Sequence, residues 1–278
     1  MKYPEIQYLY KYMPWNEFTK KSIDDEEFWF SSPIQFNDPI DCGISLNTIG
    51  NTPLLKNTLN TGFSEIGKAV GGSIKNPFKT ELVTESIQQL VNSLTQKSEA
   101  LSAESREAKQ DFVARKELKE KLASLGILSL SELGDNILMW SHYAQQHKGI
   151  CVEFERVASN ILGSSSSTLP VRYSIKAPII DAWHYRIANK EEQNEMELSL
   201  ALAKANDWAY EREWRVIKTD AANRTHSLGS KINSITLGLR VEESTKTNIL
   251  SVVKRIGFSV KKANLKPNEF GLNIEEIQ

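Results

Sequence analysis

Two carboxylates beside a guanidinium form the most chemically suggestive group in this sequence of 278 residues. Glu211, Glu213 and Arg215 stand at every second position, so an extended chain points all three side chains the same way. A carboxylate in such a place stabilises an oxocarbenium-like centre and hydrogen-bonds sugar hydroxyls, which is what cleavage of an N-glycosidic bond requires. The same charges also suit a salt-bridge lock without catalysis.

A second group of polar and aromatic side chains is Trp140-Ser141-His142-Tyr143, with His147 shortly after it. His142 and His147 are five positions apart, whereas zinc ligands on a helix favour a spacing of three or four. We therefore predict no shared metal. Ser141 and His142 are adjacent and diverge by about 100° on a helix, which argues against a nucleophilic dyad. A packed aromatic helix with His142 hydrogen-bonded to a loop is the alternative.

Two N-terminal segments add further candidate ligand-binding side chains. Tyr10 and Tyr12 share one face of a predicted strand, and Lys11 takes the other face. Asn37 and Asp38 precede a proline and present an amide and a carboxylate, but the same residue types are typical of a capped turn.

The bulk properties exclude several classes of protein. Lys plus Arg number 34 against 35 Asp plus Glu, so no global charge attracts nucleic acid or an anionic membrane. Two cysteines are too few for a disulfide framework. The N-terminus lacks the apolar region of a secretory signal, and no stretch approaches the roughly 20 apolar residues of a spanning helix. We expect a cytoplasmic protein that is not embedded in a membrane.

The elements that must position these side chains alternate irregularly between strand and helix, which favours an α+β fold. Apolar and β-branched runs predict strands near residues 8–12, 28–30, 127–131, 150–154, 171–173, 213–217, 235–239 and 258–260. Helical spacing predicts helices near 137–144, 191–210 and 242–256. Lysine, glutamate, glutamine, serine and alanine with spaced leucines indicate a helical insertion over 52–124, within a single domain spanning 1–278.

Four segments together resemble a known family. They are Leu9–Tyr12, Phe28–Pro39, Met139–Gly149 and Tyr210–Arg215. In their residue types and in their order along the chain, they look like the signature of bacterial domain of unknown function 2971, over residues 8 to about 218. That family is similar to abortive-infection proteins found among phage-defence genes. Its layout is similar to the ADP-ribosyltransferase fold, a mixed α+β fold in which a split β-sheet binds NAD between its halves.

The resemblance implies roles for individual residues. Glu213 is the expected catalytic glutamate, and Glu211 completes the Glu-x-Glu pattern of some arginine-directed transferases. The expected NAD-binding residues are Tyr10, Lys11, Tyr12, Ser31, Ser32, Asn37, Asp38, Trp140, His142, Tyr143 and Arg215. Lys11 is the nearest substitute for the His or Arg that such transferases carry on their first strand, since neither stands there in this sequence.

The leading expectation is therefore an ADP-ribosyltransferase-like protein that uses NAD as substrate and no metal. The resemblance implies a bacterial anti-phage defence or toxin effector, with a protein or nucleic acid as acceptor and a regulatory partner protein.

Two alternatives remain open beside this expectation. The first is a non-catalytic domain that binds a ligand or partner, and the second is a hydrolase that pairs His142 with Asp38. A catalytic site should place Glu213 in an open cleft facing Tyr10 or Tyr12. A binding domain should instead show Glu213 buried against Arg215.

Overall fold

A computed structural model describes residues 1–43, 92, 96 and 112–277. These residues fall into two compact units: 1–43, 119–178 and 194–277 belong to the larger, and 92, 96, 112–118 and 179–193 to the smaller. Most of the insertion predicted over 52–124 lies outside the described residues, and its last part is helical over 112–124. No helix in the described part of the chain is long and apolar enough to cross a membrane.

Most described strands of the larger unit belong to one mixed sheet. Its eight strands are β1 (Tyr8–Met13), β3 (Gly126–Ser131), β4 (Ile150–Glu155), β5 (Thr168–Pro170), β8 (Glu213–Lys218), β10 (Ile232–Leu237), β11 (Ser259–Leu265) and β12 (Leu272–Glu276). They lie in the order β12-β11-β10-β4-β1-β3-β8-β5. Two short sheets pair β2 (Glu27–Phe30) with β9 (Arg224–Ser227), and β6 (Arg172–Ser174) with β7 (Ala203–Ala205).

The described α-helices with defined ends are α1 (Glu17–Asp25), α2 (Ile137–Tyr143), α3 (Ala182–Ile187), α4 (Lys190–Ala201) and α5 (Glu243–Ile256). Short 3-10 turns lie at Pro33–Gln35, Asp41–Gly43, Ile161–Gly163 and Asn206–Glu211. The predicted α+β class with a large mixed sheet is confirmed, whereas the predicted ADP-ribosyltransferase-like split of that sheet is not confirmed.

Strands β1 and β3 meet through very little backbone pairing. Both strands are wholly described, and they are paired at a single position, Tyr10 with Ser131. By contrast, β1 pairs with β4 along its whole length, from Tyr8 to Met13. In an antiparallel ladder the next positions would set Lys11 opposite Leu130. Strands β1 and β3 are therefore paired at one position, and their backbones are unpaired beyond it.

The apolar core lies mainly on one face of this sheet. Alternate residues of β3 and β8 that point there are fully buried, for example Leu128 and Val216, with Trp214 beside them. Arg156 packs its guanidinium 4.7 Å from the Trp214 ring and donates hydrogen bonds to the backbone carbonyls of Lys2, Tyr3 and Ile6. These bonds attach the N-terminal segment to the core.

The helix predicted over 191–210 is wrong in its second half. Helix α4 ends at Ala201, and the chain continues as β7 and then as the 3-10 turn Asn206–Glu211. No Gly or Pro interrupts the sequence there, so local propensity does not signal the break. The break places the Lys204 ammonium among buried carboxylates, and such tertiary contacts outweigh the few tenths of a kcal/mol per residue of helix propensity.

A tight turn connects α2 to β4. Gln145, Gln146 and His147 all have positive φ, and Gly149 follows them. A Cβ at Gly149 would lie 2.2 Å from the carbonyl oxygen of Met13, at the end of β1. Glycine is required because the chain passes against the neighbouring strand backbone.

We predict that Gly149→Ala lowers the free energy of unfolding by about 1–3 kcal/mol, since backbone atoms must move to admit the methyl group. Urea unfolding measures the change. Gly271→Ala is the matched control, because its added Cβ would meet only the flexible Lys266 side chain, at 3.0 Å. An equal decrease in the free energy of unfolding of the two variants would contradict the prediction.

Candidate functional site

A cavity of about 220 Å³ opens where β1 and β3 part. The residues that line it come from several elements: Tyr10, Lys11, Tyr12, Trp29, Ser31, Gln35, Phe36, Asn37, Asp41, Ile127, Ser129, Leu130, Met139, Tyr143, Lys204, Glu211 and Glu213. Neighbouring residues of a strand point to opposite faces, yet three consecutive residues of β1 line this cavity. The cavity therefore lies at the open edge of β1 rather than over one face.

A buried guanidinium, fully hydrogen-bonded, lies behind the lining residues Asp41 and Glu213. Arg215 donates from Nε to Glu213 Oε1 at 2.9 Å and from Nη2 to both oxygens of Asp41, at 2.9 and 2.8 Å. Nη1 donates to the carbonyl of Ala201 at 2.6 Å and to Cys42 Sγ at 3.1 Å. Every nitrogen of this side chain has a partner, as a charge without solvent exposure requires.

Lys204 is the second cation of this network. Its Nζ donates to Glu211 Oε2 at 2.5 Å and to Glu213 Oε2 at 2.9 Å, and lies 3.7 Å from Asp41. Glu211 also accepts a hydrogen bond from the Tyr143 hydroxyl, at 2.6 Å. Three carboxylates and two cations are thus joined into one fixed cluster, which we call the ionic floor: Asp41, Lys204, Glu211, Glu213 and Arg215.

The charges of the ionic floor set the protonation of its members. Burial alone would raise the pKa of Glu213, but Arg215 and Lys204 lower it to about 2. Burial opposes the charge of Lys204, but Glu213, Glu211 and Asp41 hold its pKa above the ordinary value. Burial, together with the hydrogen bond to Glu211, raises the pKa of Tyr143. Glu213 is therefore an anion at neutral pH, and Tyr143 keeps its proton.

Lys11 lies at the opening between the two strands, close to the ionic floor. Its Nζ donates to the carbonyl oxygen of Ser129 on β3, at 2.9 Å. This bond bridges the two strands where the backbone ladder is interrupted. Burial lowers the pKa of Lys11 to about 8, although Glu213 and Glu211 oppose the shift. Lys11 thus supplies a third cation beside the three carboxylates.

Many of the residues predicted to form a site do line this cavity. They are Tyr10, Lys11, Tyr12, Ser31, Asn37, Tyr143, Glu211 and Glu213. Glu213 is buried against Arg215, which is the geometry stated for a binding domain, and it also lines the cavity together with the tyrosines of β1. The carboxylate is therefore present at the cavity but already neutralised by neighbouring cations.

Other predicted residues have different surroundings. Ser32 is buried and donates to the carbonyl of Ala123. Trp140 is buried in the core, where its Nε1 donates to the carbonyl of Gly134 and its ring meets the edge of Tyr12. Both side chains lie outside the lining of the cavity.

Asp38 and His142, the pair of the hydrolase alternative, have separate partners. Asp38 accepts a hydrogen bond from Trp208 Nε1, at 2.8 Å, and one from the backbone N–H of Ile40. His142 is exposed, with its ring 6.3 Å from that of Tyr210. The geometry does not favour a hydrolase built on these two residues.

A Ser–His contact occurs that the sequence did not indicate. Ser141 Oγ lies 3.0 Å from His147 Nε2, because the positive-φ turn after α2 brings His147 back beside the helix. Ser141 Oγ also donates to the carbonyl of Ile137, so its proton is directed away from the imidazole. The pair is therefore not arranged as nucleophile and base.

Sequence reasoning missed Asp41 as a member of the site, and placed Lys204 on a helix. Asp41 stands in a short 3-10 turn, and nothing in its local sequence indicates a partner 174 positions away. Within the described residues, no group of three His, Cys, Asp or Glu side chains is placed to hold a metal ion.

The fold and the cavity define a mixed α+β protein with a small charged cavity at the opening of its main sheet. Residues 139–216 match the family model described as Protein of unknown function (DUF2971), which confirms the family resemblance over that segment. Neither the curated proteins nor the solved structures give a match. The matched segment includes Tyr143, Lys204, Glu211, Glu213 and Arg215, so it supplies most of the ionic floor.

We predict that Glu213→Gln lowers the free energy of unfolding by roughly 3–5 kcal/mol at neutral pH, since it leaves buried cations without their partner. The folded-state pKa of Glu213 lies below the ordinary value of 4.5, so its stabilisation is complete above pH 4.5. It disappears as the pH falls from 4.5 towards 2.

Urea unfolding of both proteins at a series of pH values measures this difference. The difference in free energy of unfolding between wild type and Glu213→Gln should be constant near neutrality. It should become smaller as the pH falls from 4.5 to 2. Glu269→Gln, on an exposed turn, is the control and should show no such narrowing. A difference in free energy of unfolding that does not change with pH would contradict the lowered pKa of Glu213.

Proposed function

We propose that the cavity between β1 and β3 binds a small, ring-bearing ligand without an anionic group, and that the nicotinamide riboside end of NAD, whose ring is a pyridinium cation, is such a ligand. The observation that carries this proposal is the opening beyond the Tyr10–Ser131 pair, which places hydroxyl, amide and aromatic side chains around one cavity. Ligand sites typically combine apolar walls with a few fixed polar groups in this way.

The size and charge of the cavity restrict the ligand to a small group that carries no negative charge. At about 220 Å³ it is smaller than the roughly 300–1,000 Å³ of sites that enclose drug-sized molecules. The rest of a dinucleotide would have to extend outside it. Three carboxylates and two lysines line it, so an anionic group finds no surplus of positive charge, whereas hydroxyl and amide groups find donors and acceptors.

The polar groups of the cavity are held in place before any ligand arrives. Arg215 and Lys204 fix Glu213 and Asp41, and Lys204 and Tyr143 fix Glu211. A site whose polar groups are already ordered loses less conformational entropy on binding. Preorganisation of this kind favours a binding role for the chain.

Binding is tested by calorimetry with NAD, nicotinamide and nicotinate. We expect nicotinamide to bind more tightly than nicotinate, which has the same ring but an anionic carboxylate. Ser129→Leu, which fills the opening, should weaken NAD and nicotinamide binding by roughly ten-fold or more, equivalent to about 1.4 kcal/mol. Ser251→Leu, on an exposed face of α5, is the control. Failure of wild type to bind any of the three would refute the proposed ligand.

A second candidate function is cleavage of the N-glycosidic bond of NAD, as in an ADP-ribosyltransferase. It is favoured by one arrangement: Glu213, ionised at neutral pH, lines the same cavity as Tyr10 and Tyr12. In this scheme Glu213 stabilises the oxocarbenium that forms as nicotinamide leaves, and the tyrosine rings hold the leaving base. The acceptor would be water or a macromolecule.

Release of nicotinamide from NAD tests this chemistry. We expect Glu213→Gln to abolish release, because the amide removes the negative charge from the reacting centre. Tyr173→Phe is a useful comparison, since the Tyr173 hydroxyl accepts from the backbone N–H of Glu213 and leaves its carboxylate in place, and it should retain release. Binding of NAD without any release in wild type would leave the ligand-binding function and exclude the cleavage.

The wider role is proposed on the family resemblance alone. A domain that binds or consumes NAD suits a bacterial anti-phage defence or toxin effector, acting on a protein or nucleic acid and restrained by a partner protein.

A further inference from the structure

We infer that Lys11 is a carbonyl-binding lysine, which forms an imine with a small uncharged aldehyde or ketone that enters the cavity. The inference rests on the proposed function in one respect, namely that the cavity admits a small ligand. It goes beyond that function because it assigns a covalent reaction and a different class of substrate.

The position of the amine supports this role. Lys11 lines the cavity, and in the described part of the chain its Nζ makes one hydrogen bond, to the carbonyl oxygen of Ser129. An ammonium has three donors, so two remain for a ligand oxygen. Lys204, which lines the same cavity, directs its ammonium at Glu211 and Glu213 instead. Of these two cavity lysines, Lys11 has the available amine.

The surroundings of Lys11 favour the neutral, nucleophilic form. Burial lowers its pKa to about 8, so roughly a quarter of the molecules carry a free amine near pH 7.5. An exposed lysine is about one part in a thousand neutral at that pH. Lysines activated by desolvation in this way serve as nucleophiles towards carbonyl groups.

The reaction balances without an oxidant or a reductant. The neutral amine attacks the carbonyl carbon, and a C–N bond forms. The carbonyl oxygen takes up one proton from the amine nitrogen and one from solvent and leaves as water, and the product is a protonated imine. The protonated imine carries the same charge as the ammonium form of Lys11, so the balance of three carboxylates and three cations in that form is unchanged.

The charge of the cavity wall also sets the class of substrate. Because Asp41, Glu211 and Glu213 offset the neighbouring cations, an anionic carbonyl compound finds no net positive charge to compensate for its lost hydration, while a hydroxylated one finds hydrogen-bond partners. Small hydroxyaldehydes and hydroxyketones fit these conditions, and glycolaldehyde is a probe of this class. Glyoxylate has a similar size but carries a carboxylate, so it serves as the matched probe of charge.

The test treats the whole wild-type chain with glycolaldehyde and cyanoborohydride at pH 7.5, and mass spectrometry locates the hydroxyethylated lysines. We expect Lys11 to be modified at least about ten-fold faster than the exposed Lys231 and Lys254, and Lys204 to stay unmodified. Glyoxylate should show a much smaller preference for Lys11. Lys11→Arg should remove the rapid modification at residue 11, while the other lysines react as before.

Two outcomes would overturn the inference. Modification of Lys11 at or below the rate of the exposed lysines would show that its amine is not reactive, and this result needs no variant. Equal preference of Lys11 for both probes would overturn the assigned substrate class. Calorimetry with nicotinamide distinguishes failure of this inference from failure of the proposed function. Binding of nicotinamide together with an unreactive Lys11 would refute the inference and leave the proposed function intact.

Discussion

The burial of Arg215 is the constraint on which the rest of this structure depends. A guanidinium removed from water is costly unless each donor is paired, and its partners here come from three separate stretches of chain. Asp41 and Cys42 belong to a turn near the N-terminus, Ala201 ends α4, and Glu213 stands on the same strand. Satisfying one side chain therefore fixes how these segments meet.

The same requirement explains why the cavity is both charged and rigid. Arg215 brings Asp41 and Glu213 together, and two buried carboxylates at one place require a further cation, which Lys204 provides. Lys204 reaches them because α4 ends early and the chain turns through β7. Glu211 and Tyr143 complete the group. An ionic cluster of this kind adds little net stability but specifies one arrangement of its members.

Function depends on how this fixed cluster meets the opening in the sheet. Strands β1 and β3 part after one residue pair, and Lys11 spans the opening to Ser129. Since Glu213 is neutralised by two cations, the cavity suits ligand binding better than strong stabilisation of a positive reaction centre. Lys11 is different from the ionic floor because its amine is not bound to a carboxylate.

Local patterns in the sequence predicted most of the elements and many members of the site. The strands at 8–12, 150–154 and 213–217 followed from apolar and β-branched runs, and α2 followed from helical spacing. Eight of the predicted ligand-binding or catalytic residues line the cavity. Tyr10, Tyr12 and Glu213 were indicated by residue type on predicted strands, whereas Ser31 was implied only by the family resemblance.

Only the tertiary structure decided how those residues are used. The partnership of Arg215 with Asp41 joins positions 174 apart, and no local pattern reports such a contact. The early end of α4 and the strand at Ala203–Ala205 also arise from distant charges, which outweigh helix propensity. Residue type and spacing reveal which groups are available, but burial and long-range pairing decide which charges are neutralised and which amine stays free.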